Sequence, residues 1–331
     1  MRNKLPYLLP LVGLALFAYI VYNTGVDRIL VVFSTCDPIG LLLALPIVVG
    51  TVLLRGLRWR FLMRIVGIDY PLRRSMEVWT IGFFAASVTP GKMGEVARAW
   101  YVHEDTGRTF GAAFVTVFMD RLWDLVFVIG LGIVSALSFS RFFIAIPSVG
   151  IVITASVIVA AAVCLALNRS LMRQVLKPLF AVLVPERHKQ LFSLNFNSFY
   201  DSLSRYGRER GKLVKAFLYT AATWALVFLL AYQVARALHV NPDFGYMMLI
   251  MPIVTLVELI PISVSGLGTR DATVIYFFSV VGMSRAAAVG FSIGYVLVGT
   301  YLIALAGFIH WLRRPMRMGS VSHDDASGLA E

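Results

Sequence analysis

Eight ionisable residues of this chain stand inside or beside long apolar stretches: Glu95, Arg98, Asp120, Arg121, Asp124, Glu258, Arg270 and Asp271. A charge kept from water is expensive, so such residues either pair with one another or line the path of a polar ligand. Asp120 and Asp124 are four residues apart and Arg121 and Asp124 three, which puts all three on one broad face of a helix. A guanidinium holds two phosphate oxygens at once, and this makes Arg98, Arg121 and Arg270 the candidate substrate-binding residues. Glu95, Asp120, Asp124 and Asp271 would orient those arginines or carry a coupling proton. The alternative is a buried ion network that pins the helices and touches no ligand.

Other chemistry finds little footing. The five histidines, His103, His188, His239, His310 and His323, are scattered without ligand spacing, so no metal or other cofactor is expected. No Ser, His and acid constellation argues for a hydrolase, and the chain is not expected to be an enzyme. Cys36 and Cys164 lie far apart and suggest no disulfide framework. The formal charge of +12 collects in the segments between apolar runs, where a membrane protein needs it for orientation, and does not call for nucleic acid.

The elements that must position these charges follow from composition. Of 331 residues 59% are apolar and only 15% charged, a balance that makes the bilayer the solvent. Uncharged runs from Leu5 to Val26, Pro38 to Leu54, Phe142 to Asn168, Ala216 to Ala235 and Ala286 to Leu312 approach or exceed the roughly 20 residues of a spanning helix. The first reads as a retained anchor, since no small-residue cleavage pattern closes it. A further span, Ala112 to Leu137, carries the Asp120, Arg121 and Asp124 face.

Charge bias sets the order of crossing. With the N-terminus cytoplasmic, the segment holding Arg55, Arg58, Arg60, Arg64, Arg73 and Arg74 falls inside as a loop. The run from Val78 to Gly91 is then too short for an untilted crossing, about 21 Å as helix against a core of about 30 Å. It is followed, after Pro90-Gly91, by a second short stretch from Met93 to Val102. A hairpin that enters and leaves on one side keeps the basic segment from Asn168 to Lys215 inside, and two very short full spans would give the same sidedness. A second pair of short runs, Tyr246 to Ile260 and Ala272 to Met283, flanks Pro261 and the residues from Ser263 to Gly268 and repeats the pattern.

Glu95 precedes the long span near Gly111 by 16 residues, and Asp271 precedes the one near Ala287 by 16. The expected architecture is therefore an all-α integral membrane protein. It has six full transmembrane helices plus two re-entrant half-helix hairpins in inverted repeats, a transporter arrangement. The hairpins break at Pro90, Gly91 and Gly94 and at Gly266 and Gly268. Residues 1–312 form one polytopic membrane domain, with repeat A about 38–140, repeat B about 213–312 and a cytoplasmic amphipathic segment 168–212. The stripe Phe192, Phe196, Phe199 and Leu203 suits a helix lying on an anionic leaflet or packed under the bundle. Residues 313–331 read as a disordered cytoplasmic tail. Lys92, at the break, reads as a lysine reaching for cytoplasmic water, with a lipid headgroup as the alternative partner, and Trp59, Trp100 and Trp311 read as an aromatic belt.

Four stretches carry a family likeness: Arg55-Gly56-Leu57-Arg58-Trp59-Arg60, Thr89 to Arg98 (TPGKMGEVAR), Asp120-Arg121-Leu122-Trp123-Asp124 and Gly266-Leu267-Gly268-Thr269-Arg270-Asp271. Together they resemble the transmembrane domain of the lysylphosphatidylglycerol synthase/flippase family over residues 5 to 312. Asp120 and Asp271 stand where that family usually has glutamate, which keeps the charge and shortens the reach. The resemblance implies a stand-alone translocating half, since the 19 residues after Leu312 leave no room for an aminoacyltransferase domain. The expected function is translocation of a phospholipid or other polar-headed lipid between leaflets of the cell membrane, both termini cytoplasmic. Its partners are membrane lipids with anionic or phosphate-containing headgroups. The alternatives are an intramembrane transferase acting on a lipid-linked substrate and an ion-coupled carrier of a small solute.

Overall fold

A computed structural model describes residues 5–143, 164–174, 186–258 and 266–316, with residues 157 and 161. Among them every regular element is a helix. The helices are α1 (Leu5–Thr24), α2 (Val26–Ser34), α3 (Pro38–Ile65), α4 (Leu72–Val88), a 3-10 turn (Pro90–Glu95), α5 (Val96–Thr106) and α6 (Phe110–Phe143). After them come α7 (Glu186–Arg208), α8 (Arg210–Ala237), α9 (Phe244–Glu258), α10 (Thr269–Val280), α11 (Arg285–Val296), a π turn (Leu297–Tyr301) and α12 (Leu302–Arg313). The expected span from Phe142 to Asn168, the Pro261 to Ser265 break and the tail from Gly319 lie almost wholly outside the described residues.

Local chemistry sets the boundaries. Asp37 caps α3 by accepting the Ile39 N–H at 3.0 Å, with Pro38 at the first helical position. Ser284 caps α11 through the Ala287 N–H at 3.2 Å, and Gly107 ends α5 with φ +64. Among the described residues three helices, Pro38–Ile65, Arg210–Ala237 and the continuous Arg285–Arg313, are long and apolar enough to cross a membrane. A fourth candidate, Leu14–Thr24 with Val26–Ser34, bends by 79° at Gly25, whose φ of +90 permits the corner. α3 outruns the apolar run read from the sequence: Arg55, Arg58, Arg60 and Arg64 belong to its last turns and not to a loop.

Lipid offers helices little hydrophobic reason to associate, so packing rests on close approach at small residues and on polar contacts. α3 and α8 run antiparallel, with Gly40 against Ala237, Gly50 against Leu226 and Arg58 against Thr220. α4 folds back onto the 3-10 turn and α5: a methyl added at Gly94 would lie 2.3 Å from the Ala85 carbonyl, and one at Gly82 would strike the Arg98 side chain. α9 and α10 also pack together, with Gly266 pressed against the Glu258 side chain.

Each helix pair leans on a long helix from the other half of the chain. α9 packs on α6, where a methyl on Gly132 would lie 2.5 Å from Leu256, and α4 packs on α12, where one on Gly307 would lie 2.0 Å from the Thr80 oxygen. Gly132 and Gly307 each stand 22 residues beyond the first residue of their continuous helical stretch, Phe110–Phe143 or Arg285–Arg313. One end of the α4–α12 contact is tied by charge. Arg314 Nη2 lies 2.5 Å from Asp105 and 3.2 Å from Glu104, and Asp105 also receives Arg74 at 3.2 Å and the Tyr70 hydroxyl. Burial and that carboxylate push the Tyr70 phenol well above its usual range.

The second half of α7 is packed under the bundle. The Phe199 ring is 5.9 Å from Phe114 and 5.7 Å from Phe118, and the Tyr206 hydroxyl donates to the Leu62 carbonyl at 2.9 Å. Phe192 and Leu194, nearer its start, are exposed.

Candidate functional site

The face read on α6 meets the last turns of α3. Arg58, fully buried, donates from Nε to Asp120 at 2.8 Å, from Nη1 and Nη2 to Asp124 at 2.7 and 3.0 Å, and from Nη1 to the Thr220 hydroxyl at 3.0 Å. One guanidinium therefore satisfies two carboxylates 62 and 66 residues away, the geometry a planar fork suits and an ammonium does not. Arg98 is also fully buried; its Nη2 donates to Asp120 at 2.8 Å and its guanidinium lies 4.1 Å from the Trp59 ring centroid. Trp59 is no belt residue, because it is fully enclosed and donates from Nε1 to Thr116 at 3.0 Å.

Arg121 looks the other way, into a cavity of about 450 Å³ that Asp124 also borders. Arg121 pairs with Glu95 and lies 3.5 Å from Asp124, and Arg55 reaches Asp124 at 3.4 Å. Four guanidinium groups, Arg55, Arg58, Arg98 and Arg121, stand against three carboxylates, Glu95, Asp120 and Asp124, so the cluster carries one positive charge in excess. Aromatic rings of Trp79, Phe83, Phe114, Phe118, Trp224 and Tyr295 complete the walls. Arg121 Nη2, Trp79 Nε1 and Trp224 Nε1 are buried donors without a hydrogen-bond acceptor among the described residues.

The break residues meet across the same cavity. Lys92 Nζ donates to Glu258 Oε1 at 3.1 Å, a contact between the two helix pairs that corrects the reading of Lys92 as a lysine reaching for water. Pro90 opens the 3-10 turn, the Thr89 hydroxyl accepts the Gly94 N–H at 2.8 Å, and Glu95 closes the turn. Gly91 lies within it.

Arg270 and Asp271 form a second cluster, outside the cavity's lining but next to it, since Arg270 and the lining residue Glu258 both border Gly266. Asp271 accepts the Gly268 N–H at 2.7 Å, pairs with Arg270 at 2.8 Å and accepts the Ser292 hydroxyl, while Arg270 Nε donates to Ser292 at 3.2 Å. Both residues are buried, and the arrangement caps α10 where Gly266 and Gly268 turn with φ of +73 and +83. Of the eight charges singled out in the sequence, Glu95, Arg121, Asp124 and Glu258 line the cavity, Arg98 and Asp120 stand behind its wall, and Arg270 and Asp271 are not among its lining residues. Sequence reasoning missed Arg55, Arg58 and the Lys92–Glu258 contact. The spacing of the two arginines, three apart next to an apolar run, was the available signal for the first two.

The sequence has relatives among known proteins. The family described as lysylphosphatidylglycerol synthase TM region matches residues 8–307. A UPF0104 membrane protein of Methanothermobacter thermautotrophicus is 23% identical over 91% of this chain and 93% of its own. One from Pyrococcus horikoshii is 21% identical over 92% and 95%, and one from Methanocaldococcus jannaschii 24% over 90% and 90%. No solved structure matches the chain.

Proposed function

Because the chain belongs to the lysylphosphatidylglycerol synthase TM region family, we propose that it moves a polar-headed lipid between the leaflets of the cell membrane without covalent chemistry. The observation that carries this reading is the cavity where two helix breaks meet, lined by Arg55, Arg121 and Lys92 and bordered by a cluster with one uncompensated positive charge. An anionic, phosphate-containing headgroup supplies both oxygens and charge, and the aromatic walls suit the glycerol and first methylenes behind it.

Six crossings and two re-entrant hairpins in inverted repeats, about 38–140 and 213–312, serve this function with both termini cytoplasmic. The exchanged packing supports it: each short helix pair leans on the long helix of the other unit through a glycine at the same distance along that helix. Broken helices leave backbone groups that only a protein-lined cavity tolerates in lipid, and rocking two oppositely oriented units exposes such a cavity to each side in turn. In this scheme Arg121 and Arg55 hold the phosphate, Arg98, Asp120 and Arg58 position them, and Arg270 with Asp271 shapes the second break.

The test is purification, identification of co-purifying lipids by mass spectrometry, and reconstitution with that lipid in a leaflet-accessibility assay. Transbilayer movement of unchanged lipid supports the reading. A covalently altered lipid, or movement no faster than in protein-free vesicles, overturns it.

A further inference from the structure

Lys92 and Glu258 form a contact that holding a headgroup does not require. They are 166 residues apart, and each stands at the break of its own helix pair. Lys92 lies in the 3-10 turn with φ +57, in the left-handed region that residues with a Cβ seldom adopt. Glu258 is the last residue of α9, and its side chain lies over Gly266 so closely that a methyl there would sit 2.5 Å from its Cγ. Backbone geometry on both sides thus aims one ammonium at one carboxylate. The pair is partly open, 36% and 21% exposed, and both residues line the cavity that holds Arg121, Trp79 and Trp224.

An ion pair exposed to a cavity with one excess positive charge is open to competition from an entering anion. A phosphodiester brings a single negative charge, which balances that excess, and non-bridging oxygens that an ammonium with three donors can hold. We propose that Lys92 is a phosphate ligand of the translocated lipid and that Glu258 is its resident substitute: the pair latches the 3-10 turn to the end of α9 until a phosphodiester takes the ammonium from the carboxylate. The inference rests on the lipid-translocation reading and adds a trigger to it. Binding then favours the state in which the 3-10 turn and the end of α9 have parted, because only there does Lys92 hold the lipid rather than Glu258, and that differential affinity is what shifts a two-state equilibrium. Substrate recognition and the release of the gate become one event.

A latch of this kind has a signature that an ordinary structural ion pair lacks. Lys92→Gln and Glu258→Gln remove the same pair, so both lower the melting temperature to a similar extent, but they act in opposite directions on ligand affinity. Binding of dihexanoylphosphatidylglycerol to the purified full-length protein in detergent, followed by tryptophan fluorescence, measures this. Dihexanoylglycerol, which lacks the phosphate, and inorganic phosphate, which lacks the lipid, serve as the other probes. The expected result is that Glu258→Gln tightens and Lys92→Gln weakens binding of the phospholipid, each by about fivefold, as for a partly exposed ion pair. Shifts in the same direction, or none, overturn the latch even if the leaflet assay shows translocation. Equal affinity for dihexanoylglycerol overturns the phosphate trigger, and equal affinity for inorganic phosphate overturns a lipid as its source. Absence of phospholipid binding to the wild type also overturns the inference, while the reading of translocation is still decided by the leaflet assay.

Discussion

Arg58 and Arg121 bear the same charge in one cluster and differ in what surrounds them. Arg58 has no exposed surface and holds Asp120 and Asp124 together, so its removal leaves two carboxylates without their principal cation. Breaking a buried pair in this way costs about 3 to 5 kcal/mol, and Arg58→Ala is expected to lose folded protein from the membrane, measured as monodisperse yield and melting temperature. Arg121 keeps a third of its side chain open to the cavity. Arg121→Ala is expected to fold and to slow lipid movement by about 10- to 100-fold, the worth of a lost charge-assisted contact, with Arg121→Lys giving partial recovery. If both alanine variants misfold alike, the cluster is structural throughout and the cavity reading loses its main residue. The sequence showed the charged face of α6, because helical spacing alone brings Asp120, Arg121 and Asp124 together. It could not show that α3 supplies the central cation, since that contact spans more than 60 residues.

At the scale of elements, the glycines divide by what lies opposite them. A methyl on Gly307 meets the Thr80 backbone, one on Gly94 meets the Ala85 backbone, and one on Gly130 meets nothing within 4 Å. Backbone cannot swing aside as a side-chain end can. Gly307→Ala and Gly94→Ala are therefore expected to destabilise by about 1 to 3 kcal/mol, as overpacking does, while Gly130→Ala leaves the melting temperature unchanged or slightly raised through helix propensity. Equal melting temperatures for all three variants would argue against the close contacts of α4 with α12 and with the 3-10 turn. The Pro90-Gly91 break was legible because proline and glycine interrupt helices on local grounds. The exchange of partners, α4 onto α12 and α9 onto α6, was not, because it depends on which helices approach closely in three dimensions.

For the whole molecule, the proposed topology places Arg64 and Ser193 on the cytoplasmic side and Asn241 on the other, and all three are exposed. In a background with Cys36 and Cys164 replaced, single cysteines at Arg64 and Ser193 should be shielded from impermeant reagent in intact cells, and one at Asn241 should react. The reverse pattern would sink the assigned orientation. What the sequence by itself determined is the solvent, the helical class, the two breaks and the clustering of charge on α6. Composition, hydrophobic run length and i, i+4 spacing are local quantities that need no partner to be read. Only the tertiary structure decided that Arg58 joins that cluster, that Trp59 is enclosed, that Arg270 and Asp271 stand apart, and that Lys92 meets Glu258. Each of those is a contact between distant segments, and a guanidinium or ammonium carries no mark in the sequence of which carboxylate the packed helices will bring to it.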